Sequence, residues 1–203
     1  MKKYAVLHEP GDIVTLAGTR FVVLDVERRG SLPDSLFLLA LESVGASEFG
    51  SSNNYAESDL KKAVDKWLED MGKRGLDNAK LIPREIDLTT LDGSGCYGKL
   101  SVKAAPLTLD EAREYADIIP NAERWCWLAT GWSGPSKSDG DLALYVNSSG
   151  DWVGYYCSNS CGIRPALKIP SDLLLDSADK PDLSEVPTDT LLEEIRRRVV
   201  DKA

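Results

Sequence analysis

The chain has 203 residues, of which 42% are hydrophobic and 28% charged, a make-up that excludes a disordered, collagen-like or coiled-coil main body. Twenty-four basic against thirty-three acidic side chains give a net charge of −9, and the one basic run, Arg196-Arg197-Arg198, follows Glu193-Glu194, so nucleic acid is not an expected partner. No apolar run approaches the ~18–20 residues of a membrane span, and the apolar stretch after Lys2-Lys3 stops at His8-Glu9-Pro10, so neither a span nor a secretory leader is expected and synthesis in the cytoplasm is.

Ile13–Leu16 and Phe21–Val26 are β-branched runs separated by Ala17-Gly18-Thr19-Arg20, the pattern of a hairpin, and Leu36–Leu41 reads as a third, more buried strand. Leu60, Ala63, Val64, Trp67, Leu68 and Met71 then recur on one helical face, with Ser58 as N-cap and Gly72 as stop. That face is expected to pack on the core. Asp92-Gly93-Ser94-Gly95 is a turn and not a phosphate loop, because no Gly-Lys-Ser/Thr follows it. Thr108-Leu109-Asp110-Glu111 forms a capping box, and Leu109, Ala112, Ala116 and Ile119 continue as one face of a second helix until Pro120.

The character changes over residues 125–162, which hold four of the five tryptophans and three of the four cysteines. Short strands are expected at Trp125–Ala129, Leu142–Val146, Trp152–Tyr156 and Ile163–Ile169, separated by Gly-, Ser-, Asn- and Asp-rich turns. These elements make an α+β chain. Residues 171–187 read as a linker and 188–203 as a short amphipathic helix with Leu191, Leu192, Ile195 and Val199 on its apolar side, suited to oligomerisation or attachment to a larger particle.

Histidine, the commonest catalytic base and zinc ligand, occurs once, as His8, which speaks against a Ser-His-Asp triad or a His-rich metal site. Cys157 and Cys161 invite a metal, redox or disulfide reading. A four-cysteine site would also require Cys96 and Cys126 to converge, and no C-x-x-C spacing supports that. No catalytic residue, metal or cofactor is therefore assigned. The segment containing Trp132, Tyr145, Asn147, Ser149, Asp151, Trp152, Tyr155, Tyr156, Cys157, Ser158, Asn159 and Ser160 has the Tyr/Trp/Ser/Asn composition of antibody paratopes and is the candidate ligand-binding surface. Arg164, inside an apolar strand, is read as a structural donor to backbone carbonyls rather than as a grip on an anion.

Trp125-Cys126-Trp127-Leu128-Ala129-Thr130-Gly131, followed some thirty residues later by Gly162-Ile163-Arg164-Pro165-Ala166-Leu167, resembles the signature of an uncharacterised domain family of bacteria and their phages. Members show Trp-Trp-Leu-Arg-Ser-Pro-Gly, a Ser/Asn/Tyr-rich stretch and Gly-Val-Arg-Pro-Ala-Leu. The helix beginning Ser58-Asp59-Leu60 and the element Pro106-Leu107-Thr108-Leu109-Asp110-Glu111-Ala112 resemble further parts of that family in order. The likeness spans roughly residues 10–170, and the family's Arg after Trp-Trp-Leu is replaced here by Ala129.

The resemblance implies a C-type-lectin-like domain over residues 1–170, in the branch shared with formylglycine-generating enzymes, with mixed and antiparallel sheets and two main helices. It implies Trp125, Trp127 and Arg164 as scaffold residues. The same branch houses the variable proteins of diversity-generating retroelements, in which adenine-directed mutagenesis turns Asn codons into Tyr, Ser, Asp, Gly or Cys. Tyr155-Tyr156-Cys157-Ser158-Asn159-Ser160 is the kind of run such mutagenesis leaves, whereas Trp152 is not reachable from an Asn codon by that route. The implied function is non-enzymatic ligand display, by a retroelement variable protein or a phage or prophage receptor-binding component, against an unidentified protein or cell-surface ligand, with virion association as an alternative location. Two other readings are a formylglycine-generating copper oxidase using Cys157 and Cys161, whose spacing fits that motif poorly, and a calcium lectin, for which Asp139, Asp141 and Asp151 are the nearby carboxylates.

Overall fold

The computed structural model describes residues 2–4, 8–29 and 32–177. The helix expected over 188–203 lies outside them.

After a short strand β1 (Lys2–Tyr4), strands β2 (Ile13–Leu16) and β3 (Thr19–Arg29) form the expected hairpin. Its turn is tighter than the sequence suggested. Ala17 and Gly18 carry φ of 47° and 76°, and two successive positive φ values make a two-residue turn whose twist matches the strands it joins. Strand β4 (Leu32–Ala40) pairs with β3, and β5 (Ala46–Glu48) follows.

Helix α1 (Asp59–Lys73) starts where Ser58 Oγ accepts from the Lys61 N–H at 2.9 Å. It runs one residue beyond Gly72. Its end comes at Gly75, which supplies φ of 102° just past the last turn. Leu60, Val64 and Met71 are buried, with Ala63, Trp67 and Leu68 packed partly buried beside them, so the expected apolar face is the core face.

Strands β6 (Arg84–Asp87), β7 (Lys99–Val102) and β8 (Ala104–Ala105) lead to α2 (Leu109–Glu114). The capping box is formed in both directions: Glu111 N–H donates to Thr108 Oγ1 at 3.2 Å, and Thr108 N–H donates to Glu111 Oε2 at 2.8 Å. This helix is shorter than its sequence pattern. After Tyr115 the chain continues in turns, because Ile118 and Ile119 are β-branched and Ile119 precedes a proline, which disfavours the helical region.

The remaining strands are β9 (Cys126–Gly131), β10 (Leu142–Val146), β11 (Trp152–Tyr156), β12 (Ser160–Gly162), β13 (Ala166–Pro170) and β14 (Leu174–Ser177). Strand β14 lies within the stretch read as linker and pairs with both β1 and β2.

Among the described residues the strands form a seven-stranded sheet in the order β1-β14-β2-β3-β4-β13-β8, a five-stranded sheet β11-β10-β9-β12-β5 and the ribbon β6-β7. All pairings are antiparallel except β12 with β9, so the fold is α+β with mostly antiparallel sheets and two α-helices. No helix among the described residues is long and apolar enough to cross a membrane.

Period-two alternation divides the interior into two clusters. Phe21, Val23, Leu36 and Leu38 of the larger sheet join Leu60, Val64 and Met71 of α1 and Trp127, Ala129 and Ala143 of the smaller sheet. Val22, Leu24, Phe37 and Leu39 point the other way and meet Leu109 and Ala112 of α2 with Leu128 and Leu144. Both sheets therefore contribute opposite faces to two cores, and the smaller sheet's edge, β11, is left at the outside.

Candidate functional site

Strands β9, β10 and β11 run side by side as an antiparallel meander, and β11 is the outer one. The turn between β10 and β11 is built by Asn147. Its Oδ1 accepts from the N–H groups of Ser149 at 2.8 Å and Asp151 at 2.9 Å, and its Nδ2 donates to Asp151 Oδ2 at 3.0 Å. Gly150 takes the positive φ of 91° that closes the turn. Asn147 and Asp151, expected to face a ligand, thus hold their own loop.

The Asn147 N–H donates to the Asp151 carbonyl at 2.9 Å and the Cys157 N–H donates to the Asp141 carbonyl at 2.8 Å. Hydrogen-bonded positions alternate along an antiparallel pair, so this register turns the backbone groups of Trp152 and Gly154 away from β10, toward the free edge.

Large hydrophobic side chains stand out along this edge. Trp152 is 39% exposed, Val153 38% and Tyr156 57%, and the neighbouring Trp125, at the entrance to β9, is 46% exposed. Leu91 is the one other exposed large hydrophobic among the described residues. Trp125 stacks on Tyr145 with ring centroids 5.1 Å apart, and Tyr155 meets Trp125 edge-on at 6.0 Å. The Arg113 guanidinium of α2 lies over the Trp152 ring, 5.6 Å from its centroid, which fixes one face of that indole while leaving its rim in solvent.

The support behind this surface is rigid. Trp127 is fully buried, crosses Phe49 edge-on at 5.5 Å and donates its indole N–H to the Ser47 carbonyl at 2.9 Å. Asn53, also buried, ties the far ends of the strands together: its Nδ2 donates to the carbonyls of Ser133 at 2.8 Å and Leu142 at 3.0 Å, and its Oδ1 accepts from the Tyr97 hydroxyl at 2.6 Å. Trp132 lies flat against Gly154, where a Cβ would stand 2.5 Å from the indole ring. Gly162 is required in the same sense, since a Cβ there would come within 2.7 Å of Ser43 Oγ and 2.9 Å of Cys126 Sγ.

Of the residues expected to face a ligand, the structure brings Trp152, Tyr155, Tyr156, Ser158 and Ser160 to one exposed or half-exposed margin, with Ser149 exposed on the adjoining turn. Asn159 is half-buried, and its N–H donates to the Tyr156 carbonyl at 2.9 Å. Trp132 is half-buried beneath β11 rather than displayed. Tyr145 and Cys157 are corrections: both are buried, because alternation turns them toward the core side of β10 and β11. Trp125, expected as scaffold, lies in the exposed cluster, whereas Trp127 and Arg164 are buried.

Val153 and Arg113 were missed. Val153 is hidden by its ordinary strand chemistry, and Arg113 by the three-dimensional approach of α2 to β11. The lack of apolar/polar alternation within Trp152-Val153-Gly154-Tyr155-Tyr156 was the usable signal: an edge strand with no polar face is anomalous.

Cys157 and Cys161 are chemically quiet. Burial pushes the thiols of Cys157 and Cys161 up to about 12, so both stay protonated at neutral pH. All four cysteines are free, with Cys96 exposed and the other three buried. No group of three or more His, Cys, Asp or Glu side chains among the described residues converges on a metal-sized site. Asp139, Asp141 and Asp151 are all exposed, and the Asp151 carboxylate accepts from Asn147.

No protein-family model matches the chain, and no curated protein or solved structure matches it either.

Proposed function

We propose that this chain is a non-enzymatic ligand-binding module whose recognition surface is the outer margin of the five-stranded sheet: Trp125, Trp152, Val153, Tyr155 and Tyr156, with Ser158 and Ser160 beside them. One observation carries this reading. Four of the five exposed large hydrophobics among the described residues gather at this margin, three of them on one edge strand. Folded proteins normally blunt such an edge with charge, proline or a covering element. Exposed aromatics with small polar neighbours supply contact area at low entropic cost and adaptable hydrogen bonds.

The finer proposal is a C-type-lectin-like domain similar to the variable proteins of diversity-generating retroelements, or to a phage or prophage receptor-binding component. The α+β architecture with two helices supports it, as does the position of the Tyr155–Ser160 run at an accessible margin just before the sterically constrained Gly162. The partner is a protein or cell-surface ligand, bound through aromatic anchors.

Deep sequencing of codons 130–165 across the source population tests this. Adenine-directed diversification predicts non-synonymous changes at Tyr155, Tyr156, Ser158 and Ser160, with Gly154, Gly162 and Trp152 unchanged. An invariant segment, or changes spread evenly over buried positions such as Leu144 and Ala143, would overturn the retroelement reading.

A further inference from the structure

Behind α2, on the side of the smaller sheet away from Trp125, lies a cavity of about 80 Å3. Its walls are mostly apolar: Ala112 and Ile119 on one side, Leu128 and Val146 on the other. Its rim is formed by Ala116, Asn121 and Trp152, all exposed. Arg164 also lines it.

Arg164 is only 6% exposed. Its Nε donates to the Ala40 carbonyl at 2.9 Å and its Nη1 to the Pro120 carbonyl at 3.0 Å. Its Nη2 is buried and has no hydrogen-bond partner among the described residues. Among the described residues no carboxylate neutralises the guanidinium by contact. Glu42 is the carboxylate whose field reaches it, and Glu42 is paired with Arg20. Burial accordingly disfavours the charged form of Arg164. A desolvated guanidinium with an idle donor is costly, and an anion accepting from that donor removes both costs at once.

The walls select what kind of anion. Inorganic phosphate or sulfate would leave its outer oxygens against Leu128, Val146 and Ile119 without donors. A carboxylate with a hydrocarbon tail matches both the charged and the apolar part of the site. The volume is about half of the roughly 150 Å3 that admits a benzene ring, which favours a short chain over a ring or a long acyl group.

We propose that this cavity binds a short aliphatic carboxylate, with its charged end toward the Arg164 guanidinium and its chain against Ile119, Leu128 and Val146. The cavity shares Trp152 with the exposed aromatic margin, but Arg164 and the apolar walls lie outside that margin, and the inference does not rest on the display function.

The test is a 1H–15N NMR titration of the full chain with sodium butyrate, beside butyramide and sodium formate. Butyramide keeps the chain without the charge, and formate keeps the charge without the chain. Butyrate is expected to shift the amides of Ala112, Leu128, Val146 and Arg164, and to bind at least about tenfold more tightly than butyramide, the factor a charged hydrogen bond supplies. Because Arg164 bridges two segments and its removal threatens folding, the variant is Ala116→Leu, which narrows the rim without touching Arg164. It is expected to keep the wild-type Tm and to weaken butyrate about tenfold or more. No response to butyrate, an equal response to butyramide or to formate, or unchanged butyrate affinity in Ala116→Leu would each overturn the proposal.

Discussion

Strands β4 and β11 are both rich in large apolar side chains, yet they serve opposite ends. Residues 35–40 of β4 lie between β3 and β13 and are buried throughout, with Leu36 and Leu38 in one core and Phe37 and Leu39 in the other. Among the described residues strand β11 has a neighbouring strand on one side only, and Trp152, Val153 and Tyr156 are exposed. The difference is one of place rather than composition. Apolar area stabilises the fold only when it leaves water. On β4 that area is already buried, whereas on β11 it remains available for burial against a partner.

The largest break in this comparison comes from β4. Leu38→Ala should lower unfolding free energy by about 2–5 kcal/mol, because Leu38 is fully buried and its neighbours on β3 and β13 hold the void open. Denaturant unfolding reads this directly. Next in size is Gly154→Ala. Its Cβ would collide with the Trp132 indole, so the ring must lift from β11, at a cost of about 1–3 kcal/mol. A red shift in tryptophan emission would accompany it. Tyr156→Ser should change stability by no more than about 0.5 kcal/mol, since more than half of that side chain is already solvated. A loss comparable to Leu38→Ala would make β11 a structural strand after all.

The smallest effect sharpens the contrast chemically. At pH 8 a water-soluble maleimide should label Cys96 rapidly and leave Cys157 and Cys161 unreacted in the native state, as mass spectrometry of the intact chain would read. The sign of the linkage follows from the raised values. An unfolded thiol titrates near about 8.5, so the two buried thiols contribute their full stability below that pH, and the contribution is lost as pH rises toward about 12.

Local chemistry made much of this legible in the sequence. The β-branched runs at Ile13–Leu16 and Phe21–Val26, the helical spacing of Leu60, Val64 and Met71, and the Thr108–Glu111 box each specify their element by interactions spanning a few residues. What depends on distant partners was not legible. The pairing of β14 with β1 and β2, and the parallel contact of β12 with β9, join segments far apart in sequence. The exposure of Trp125 follows from stacking on Tyr145 at the sheet's margin, which no periodicity encodes. Composition alone gave Asn147 and Asp151 the look of ligand contacts, but the short-range geometry of a tight turn claims their polar atoms. The early end of α2 was readable in principle from Ile118-Ile119-Pro120, where β-branching and the proline act together.

On the proposed function the scaffold carries stability and the outer margin carries recognition. The most direct test is a protease-resistance screen of a library randomised at Trp125, Val153, Tyr155, Tyr156, Ser158 and Ser160, beside one randomised at Leu36, Leu38 and Trp127. The account predicts that most members of the first library stay as resistant as the parent chain and that nearly all of the second are cleaved. Equal losses in the two libraries would contradict it, because the margin would then be part of what holds the fold together.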